Sequence, residues 1–284
     1  MRKITEEVYF ENAYRSGNVG FAVTDDGAVL IDSPMMPSDA WNWLRRIASM
    51  SRKGIAFLVN TDYHLERVLG NCFFPTPTIA HQLTWTEMQR YDSSYVQRYF
   101  RHQKERYPSI TAHLAKARIV LPELALSGNM TLYRSDRIFH LIHTGGHTPA
   151  SIMVLLPKER ILFAGDVVVN GEHPSLGQAD SLQWLHALEM IRGMHDVDII
   201  VPGDGDLCDT SATEVLTDYI SKMRERVHEH YESGCTRRET VDKVKMEGFF
   251  RIPPDRQAEI ARRIRSSVER VYDEFKRERG KKPL

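Results

Sequence analysis

Short apolar runs alternate with turns in the first sixty residues of the chain. Runs of this length between glycine-rich and aspartate-rich turns predict β-strands, which we place at 8–14, 19–24, 28–32 and 55–59. The Asp25-Asp26-Gly27 sequence is typical of a hairpin turn. Ser38 and Asp39 are expected to cap an amphipathic helix that ends at Gly54. This part of the chain therefore predicts a mixed α/β fold.

The second half of the chain returns to the same pattern and then becomes helical. Apolar runs predict strands at 119–121, 130–133, 138–142, 152–156, 161–164 and 197–201. Ser181 is expected to cap a helix between the last two of these strands. Amphipathic periodicity predicts further helices near 211–231, 238–247 and 255–278, followed by a basic tail at 276–282.

The segment at 82–118 differs from its surroundings, because it is polar and carries an aromatic stripe. Tyr91, Tyr95 and Tyr99 recur every four residues, with Phe100 beside them. Pro108 divides this helix from a second amphipathic piece at 110–117. The stripe is either a packing face against the rest of the protein or the lining of a substrate mouth. The two interpretations are compatible, because a cap must also pack, and we expect the segment to be a helical insertion that caps the pocket.

Composition gives no indication of a nucleic-acid or membrane partner. Lysine plus arginine and aspartate plus glutamate each total 38, so the formal net charge is zero and we expect no nucleic-acid or membrane partner. Three cysteines without CxxC spacing, and no signal peptide, favour a cytoplasmic protein. We expect a single domain over residues 1–284 that acts on a small molecule, with the cap and the C-terminal helices as surfaces for a homodimer.

Four predicted strands end in a turn that carries side chains able to bind a metal. The first is Thr61-Asp62-Tyr63-His64-Leu65-Glu66-Arg67, directly after the strand at 55–59. The others contain His147 in Gly146-His147-Thr148-Pro149, Asp166 after Gly165, and Asp204 in Pro202-Gly203-Asp204-Gly205. Strand ends in α/β proteins are common positions for chemistry. We therefore expect these four turns to form one site.

The order and spacing of these turns resemble the metallo-β-lactamase superfamily over roughly residues 8–230. The resemblance implies a four-layer αββα sandwich, here with the helical insertion and extra C-terminal helices. In that family a His-x-His-x-Asp-His motif, a later His, an Asp and a final His hold two metals, usually zinc, and a bridging hydroxide attacks the substrate. The final His of the pattern falls on Asp204, and the outer two histidines of the first motif fall on Asp62 and Arg67.

The first metal site of the family would be formed here by Asp62, His64, His147 and Asp166. Two imidazoles and two carboxylates suit one divalent ion such as Zn²⁺, Mn²⁺ or Fe²⁺, and the carboxylates favour the harder ions. A pocket without metal, in which Asp62 pairs with Arg67, remains the alternative.

The second metal site would contain Glu66, Arg67 and Asp204. Arg67 has no lone pair to give, so it cannot be a ligand. We expect its guanidinium to occupy the volume of the second metal, with Glu66 and Asp204 as hydrogen-bond partners.

Two functions follow from this interpretation. One is a hydrolase with at most one metal, acting on a small ester, lactone, thioester or phosphoester, in which Glu66 or Asp204 accepts a proton and Arg67 stabilises an oxyanion. The other is a catalytically inactive family member that serves as a binding or assembly module. Three further residues lie near the predicted site in sequence and are more often structural: His143, His173 and Cys208.

Overall fold

The computed structural model describes residues 1–102 and 118–281, and it contains two β-sheets. The first sheet has seven strands in chain order, β1 to β7, antiparallel as far as β4 and parallel from β4 to β7. Its strands are β1 (Arg2–Thr5), β2 (Val8–Glu11), β3 (Val19–Thr24), β4 (Gly27–Ile31), β5 (Ile55–Val59), β6 (Thr78–His81) and β7 (Leu124–Leu126).

The second sheet has five strands in the order β12-β11-β10-β9-β8. Strands β11 and β12 are parallel, and the other neighbours are antiparallel. The strands are β8 (Met130–Arg134), β9 (Arg137–His143), β10 (Ile152–Leu156), β11 (Ile161–Val169) and β12 (Ile199–Asp204).

The α-helices of the described residues lie mainly between and after these strands. They are α1 (Pro37–Met50), α2 (Leu65–Val68), α3 (Gln82–Met88), α4 (Ser93–His102), α5 (Ser181–Arg192), α6 (Ala212–Glu232), α7 (Arg237–Lys243) and α8 (Gln257–Lys281). None of the helices in this part of the chain combines the length and the apolar character that a bilayer crossing requires.

The two sheets pack face to face around a common core. Side chains from both sheets form one buried cluster, among them Phe10 and Ile31 of the first sheet and Phe139 and Phe163 of the second. The sheets approach so closely that a Cβ at Gly20 would enter the ring of Phe163. Successive side chains of a strand point to opposite faces of its sheet, and central strands such as β4 and β10 are apolar and buried at every residue, so they contribute to this inner layer and to an outer one.

Helices cover the outer face of each sheet. On the first sheet, Trp43 and Ile47 of α1 pack against Phe21 and Leu30. On the second, side chains of α5, α6 and α8 form a larger cluster with the outward residues of β10 and β11. The layers therefore run helix, sheet, sheet, helix, which confirms the predicted αββα sandwich and its C-terminal helices.

Several local predictions need correction. Helix α1 begins at Pro37 after Met36, without a side-chain cap from Ser38, because proline is favoured in the first helical turn. Helix α5 is capped by Asp180, whose carboxylate accepts from the backbone N–H of Gln183, and Ser181 is its first residue. The strand expected at 119–121 lies at Leu124–Leu126 instead.

The tyrosine stripe packs over the turn that contains the first motif. The hydroxyl of Tyr91 donates to the carbonyl of Tyr63 over 2.9 Å, and its ring stacks on Tyr95 at 4.4 Å between centroids. The hydroxyl of Tyr99 donates to Glu66. The stripe is thus a packing face that also contacts a residue of the predicted site. The second amphipathic piece at 110–117 and Pro108 lie outside the described residues.

Candidate metal centre

Four predicted ligands converge at one end of the two sheets. Each of Asp62, His64, His147 and Asp166 offers a ligand atom, and these atoms all lie within 4.8 Å of one another. Asp62 and His64 follow β5 of the first sheet, whereas Asp166 belongs to β11 and His147 to the turn between β9 and β10 of the second. The site is therefore assembled from both sheets, where their strand ends meet.

Asp32 fixes the turn that presents the first two of these side chains. Its carboxylate accepts from the backbone N–H of Thr61 over 2.8 Å and from the Thr61 hydroxyl over 2.7 Å. Asp32 follows β4 with φ of +57°, a conformation that aspartate tolerates better than most residues. Burial raises the pKa of Asp32 to about 7, although the charge of Arg67 and the Thr61 bonds oppose the shift. The residues around Asp32 carry no sequence signal for this supporting role, because the contact with Thr61 joins positions 29 residues apart.

Asp62 and His64 are hydrogen-bonded to each other. Nδ1 of His64 lies 2.9 Å from Oδ2 of Asp62, and the backbone N–H of His64 donates to Oδ1 over 2.8 Å. Burial alone would raise the pKa of Asp62, but the His64 and His147 imidazoles hold it well below its usual range. Conversely, the Asp62 carboxylate outweighs burial and raises the pKa of His64 to about 9. The pair leaves Nε2 of His64 available for another partner.

His147 is buried and lacks the partners that a buried imidazole normally has. Neither Nδ1 nor Nε2 makes a hydrogen bond to any residue that the structure describes. Nε2 lies 3.6 Å from Oδ2 of Asp62 and 3.7 Å from Oδ2 of Asp166. Burial lowers the pKa of His147, which favours the neutral imidazole. Buried polar atoms without partners are rare, so an imidazole of this kind facing two carboxylates fits a metal-binding position.

Trp184 of α5 sets the orientation of His147. The two rings make an edge contact with centroids 5.1 Å apart. Gly146, at φ of +88°, lets the turn lie against the backbone of Trp184, where a Cβ would come within 2.8 Å of the tryptophan Cα. Helix α5 thus supports the turn that presents the imidazole.

Arg67 is buried beside the four candidate ligands, and its terminal nitrogens are hydrogen-bonded to other groups. Its Nη1 donates to the carbonyl of Asn18 over 3.0 Å, and its Nη2 donates to the carbonyl of Gly203 over 2.8 Å and to the carboxylate of Asp166. These contacts correct the expectation that Glu66 and Asp204 would be its partners. They also replace the alternative Asp62–Arg67 pair, because Asp62 bonds to His64.

Glu66 and Asp204 line a cavity of about 400 Å³ next to the ligand cluster. Glu66 accepts from the hydroxyl of Tyr99. Burial raises the pKa of Asp204, and the carboxylates of Glu172 and Asp166 add to the effect. Asp204 is therefore a better proton acceptor at neutral pH than an ordinary aspartate.

The cavity has a further wall that the sequence did not indicate. Helix α8 contributes Glu259, Arg262, Arg263 and Ser266, and the loop before α5 contributes Ser175. The sequence predicts that the cap at 82–118 lies over the site and makes no such prediction for α8. Amphipathic periodicity predicts that α8 is a helix, but it does not specify which element the helix packs against.

The three additional residues singled out from the sequence serve structural roles. His173 is buried away from the cavity, with ring nitrogens 3.2 Å from the Tyr219 hydroxyl and 3.3 Å from the Phe250 carbonyl. Cys208 forms a β-bridge with Ile200, and burial raises the pKa of its thiol to about 12, so it is not a thiolate. His143 bonds to the carbonyl of Pro149 over 2.9 Å and supports the turn after His147.

A family comparison agrees with this geometry, because residues 13–204 match the sequence profile of the metallo-beta-lactamase superfamily. The chain belongs to the metallo-β-lactamase superfamily. The match ends at Asp204, so α6 to α8 lie outside it. This superfamily membership confirms the resemblance inferred from the four strand-end turns.

Individual relatives of this superfamily member are distant. The type 2 metallo-beta-lactamase of Elizabethkingia meningoseptica is 22% identical over 238 residues, which cover 80% of this chain and 86% of the relative. A solved metallo-beta-lactamase from Pontibacter korlensis is 19% identical with a TM-score of 0.62, covering 78% of this chain and 97% of its own. A metallo-beta-lactamase family protein of Thermus thermophilus is 14% identical with a TM-score of 0.69, covering 96% and 94%. At these identities the structures show the fold.

Metallo-β-lactamase superfamily members generally bind divalent metals, and the side chains present here fit one such ion. His147 supplies a neutral imidazole with both nitrogens unpartnered among the described residues, and Asp62, His64 and Asp166 place further ligand atoms within reach. At the second position Arg67 bonds to Asp166 and places a guanidinium, which cannot ligate a metal. This arrangement of a metallo-β-lactamase fold is suited to a single ion.

Proposed function

We propose that the protein is a hydrolase that uses one divalent metal ion, held by Asp62, His64, His147 and Asp166. The observation that carries the proposal is the buried His147 imidazole, which faces two carboxylates without a hydrogen bond to any described residue. Two imidazoles and two carboxylates suit Zn²⁺, Mn²⁺ or Fe²⁺. The substrate is a small ester, lactone, thioester or phosphoester, of a size that fits a cavity of about 400 Å³.

When bound, a divalent ion would polarise a carbonyl or phosphoryl oxygen and lower the pKa of water in the cavity. Asp204 lines the same cavity, and its raised pKa suits it to accept the proton of an attacking water. Arg67 keeps Asp166 ionised and in place through their ion pair. Because its Nη atoms are bonded to Asp166, Asn18 and Gly203, Arg67 supplies fixed positive charge rather than a hydrogen bond to substrate.

A catalytically silent binding protein is the alternative, and one observation favours it. The ion pairs Arg67–Asp166 and Asp62–His64 already satisfy much of the charge in the site without a metal. In that case the cavity would bind a ligand without converting it. The two functions differ first in whether a metal is present.

Metal analysis of protein purified without chelator tests the proposal. We expect about one equivalent of Zn, Mn or Fe per chain by plasma mass spectrometry, either as purified or after incubation with each ion. His147→Ala should lose the ion, whereas His186→Ala, which removes an exposed histidine of α5, should retain it. A content near zero in the wild type that incubation does not change would exclude a metal-dependent hydrolase.

Activity is then measured on the loaded protein with a panel of esters, lactones, thioesters and phosphoesters. His147→Ala and Asp204→Asn should each lose turnover, the first together with the metal and the second while keeping it. Bound metal without turnover of any member of the panel would support the silent binding protein instead.

A further inference from the structure

Arg262 differs from its neighbours Arg256, Arg263 and Arg265, because no hydrogen bond or ion pair joins its guanidinium to another described residue. Arg256 and Arg263 both bond to Glu259, and Arg263 also donates to the carbonyl of His173 over 2.8 Å. Arg265 pairs with Glu269 over 3.3 Å on the outer surface. The exposed side chain of Arg262 lines the cavity, and its guanidinium makes neither an ion pair nor a hydrogen bond within residues 1–102 and 118–281.

Two hydroxyls share the wall with this guanidinium. Ser266 lies one helical turn after Arg262, so both side chains are on the same face of α8. Ser175 belongs to the facing loop, and both serine hydroxyls approach the same point, since a Cβ at Gly177 would lie 3.4 Å from Ser266 Oγ and 4.0 Å from Ser175 Oγ. The hydroxyl of Ser266 already donates to the carbonyl of Arg263. Ser175 is the hydroxyl that remains available to donate.

The carboxylates of the cavity do not neutralise Arg262. Asp166 pairs with Arg67, Glu259 bonds to Arg256 and Arg263, and Glu66 accepts from Tyr99. Asp204 has a raised pKa and lies at the end of β12. A guanidinium without a counter-charge, beside a free hydroxyl donor, is suited to a planar anionic group.

We propose that Arg262, assisted by Ser175, binds an anionic group of the substrate, a carboxylate or a phosphate, while the reacting bond lies at the ligand cluster. This proposal rests on the proposed function, because both groups line one cavity. It narrows the substrate to a small ester, lactone, thioester or phosphoester that carries a second, negatively charged group. Arg262 is then a specificity residue contributed by a helix outside the matched family region.

Titration calorimetry on the full chain tests the proposal. It compares the binding of succinate and phenyl phosphate with that of neutral succinamide. Chelator-treated protein is used first, so that the anion cannot be held by a metal. We expect succinate or phenyl phosphate to bind at least about tenfold more tightly than succinamide. Arg262→Gln should abolish that preference, and Arg262→Lys should recover part of it because the charge returns without the planar fork.

Arg265→Gln is the matched control, since it removes the same charge from the same helix but on the outer surface. It should keep the full preference for anions. If both variants lost the preference for anions equally, the preference would come from the overall positive charge of α8 and the proposal would be wrong. An unchanged preference in Arg262→Gln would also overturn the proposal. Preference for succinate over phenyl phosphate, or the reverse, identifies the anionic group.

Turnover separates this inference from the proposed function. On an ester pair that differs only in a remote carboxylate, Arg262→Gln should raise KM for the charged ester about tenfold. The kcat and the KM for the neutral ester should stay the same. Anion binding through Arg262 without turnover of any substrate would refute the hydrolase and leave the anion site standing. If the protein hydrolyses both esters with the same KM, and Arg262→Gln changes neither value, the anion site would be refuted and the hydrolase would stand.

Discussion

Arg67 and Asp166 form a buried ion pair that joins the two halves of the site. Arg67 lies in α2, which follows the first sheet, and Asp166 lies in β11 of the second. The guanidinium also reaches the carbonyls of Asn18 and Gly203. Arg67 thus supplies fixed positive charge at the position where the resemblance to the superfamily implies a metal ligand.

Replacing Arg67 should therefore destabilise the metal-free protein strongly. Arg67→Met keeps much of the volume but leaves Asp166 buried without its partner, and we expect a loss of about 3–5 kcal/mol in the free energy of unfolding. Arg67→Lys retains the charge but cannot reach three acceptors with a planar fork, so its loss should be smaller. Urea denaturation of chelator-treated protein measures both. Equal stability of the wild type and Arg67→Met would show that the pair contributes little.

The presence of Arg67 where the superfamily pattern has histidine suggests how a second metal site can be introduced. Arg67→His together with Asp204→His returns two imidazoles to positions that carry histidine in the superfamily pattern, next to Asp166. Metal content should rise from about one to about two equivalents per chain under saturating Zn²⁺. Arg67→Met with Asp204→His removes the guanidinium but supplies only one imidazole, and should stay near one. If the double histidine variant also stayed near one, the guanidinium would not be standing in for a metal.

The ligand cluster could be predicted from the sequence because each of its residues is marked by its immediate neighbours in the chain. Asp62, His147 and Asp166 each belong to a turn or strand end next to an apolar run, and strand ends of this fold meet at one edge. The partners of Arg67 could not be predicted in the same way. Two of them are backbone carbonyls, and every residue has a backbone carbonyl whatever its side chain. Arg262 illustrates a second limit, because the packing of α8 against the site depends on contacts far apart in sequence.

Gly17 provides the space for Arg67, which gives a direct test of how tightly the guanidinium is held. A Cβ at Gly17 would lie 2.7 Å from Nη1 of Arg67 and 2.7 Å from the carbonyl oxygen of Gly203. Gly17→Ala should lower the free energy of unfolding by about 1–3 kcal/mol more than Gly54→Ala. Gly54 also has positive φ, but a Cβ there would meet nothing within 4 Å. Equal losses would assign the whole effect to backbone strain instead of the contact with Arg67.

His81 should make the stability of the protein sensitive to acid. Burial lowers the pKa of His81 to about 4, and the His143 ring, stacked on it at 3.9 Å between centroids, contributes to the shift. The folded state therefore favours neutral His81, while the unfolded chain takes up the proton near its ordinary value of 6.5. The resulting stabilisation is complete above pH 6.5 and is lost as the pH falls towards 4.

His81→Asn isolates this effect, because asparagine does not titrate and can still accept from the backbone N–H of Leu83, as Nδ1 of His81 does over 3.3 Å. The free energy of unfolding, measured by urea denaturation from about pH 7.5 to 4, should fall less steeply in His81→Asn than in the wild type. The exposed His186 is the matched control, and His186→Asn should keep the wild-type slope. A wild-type slope in His81→Asn would mean that His81 titrates alike in the folded and unfolded chains, despite its burial against His143.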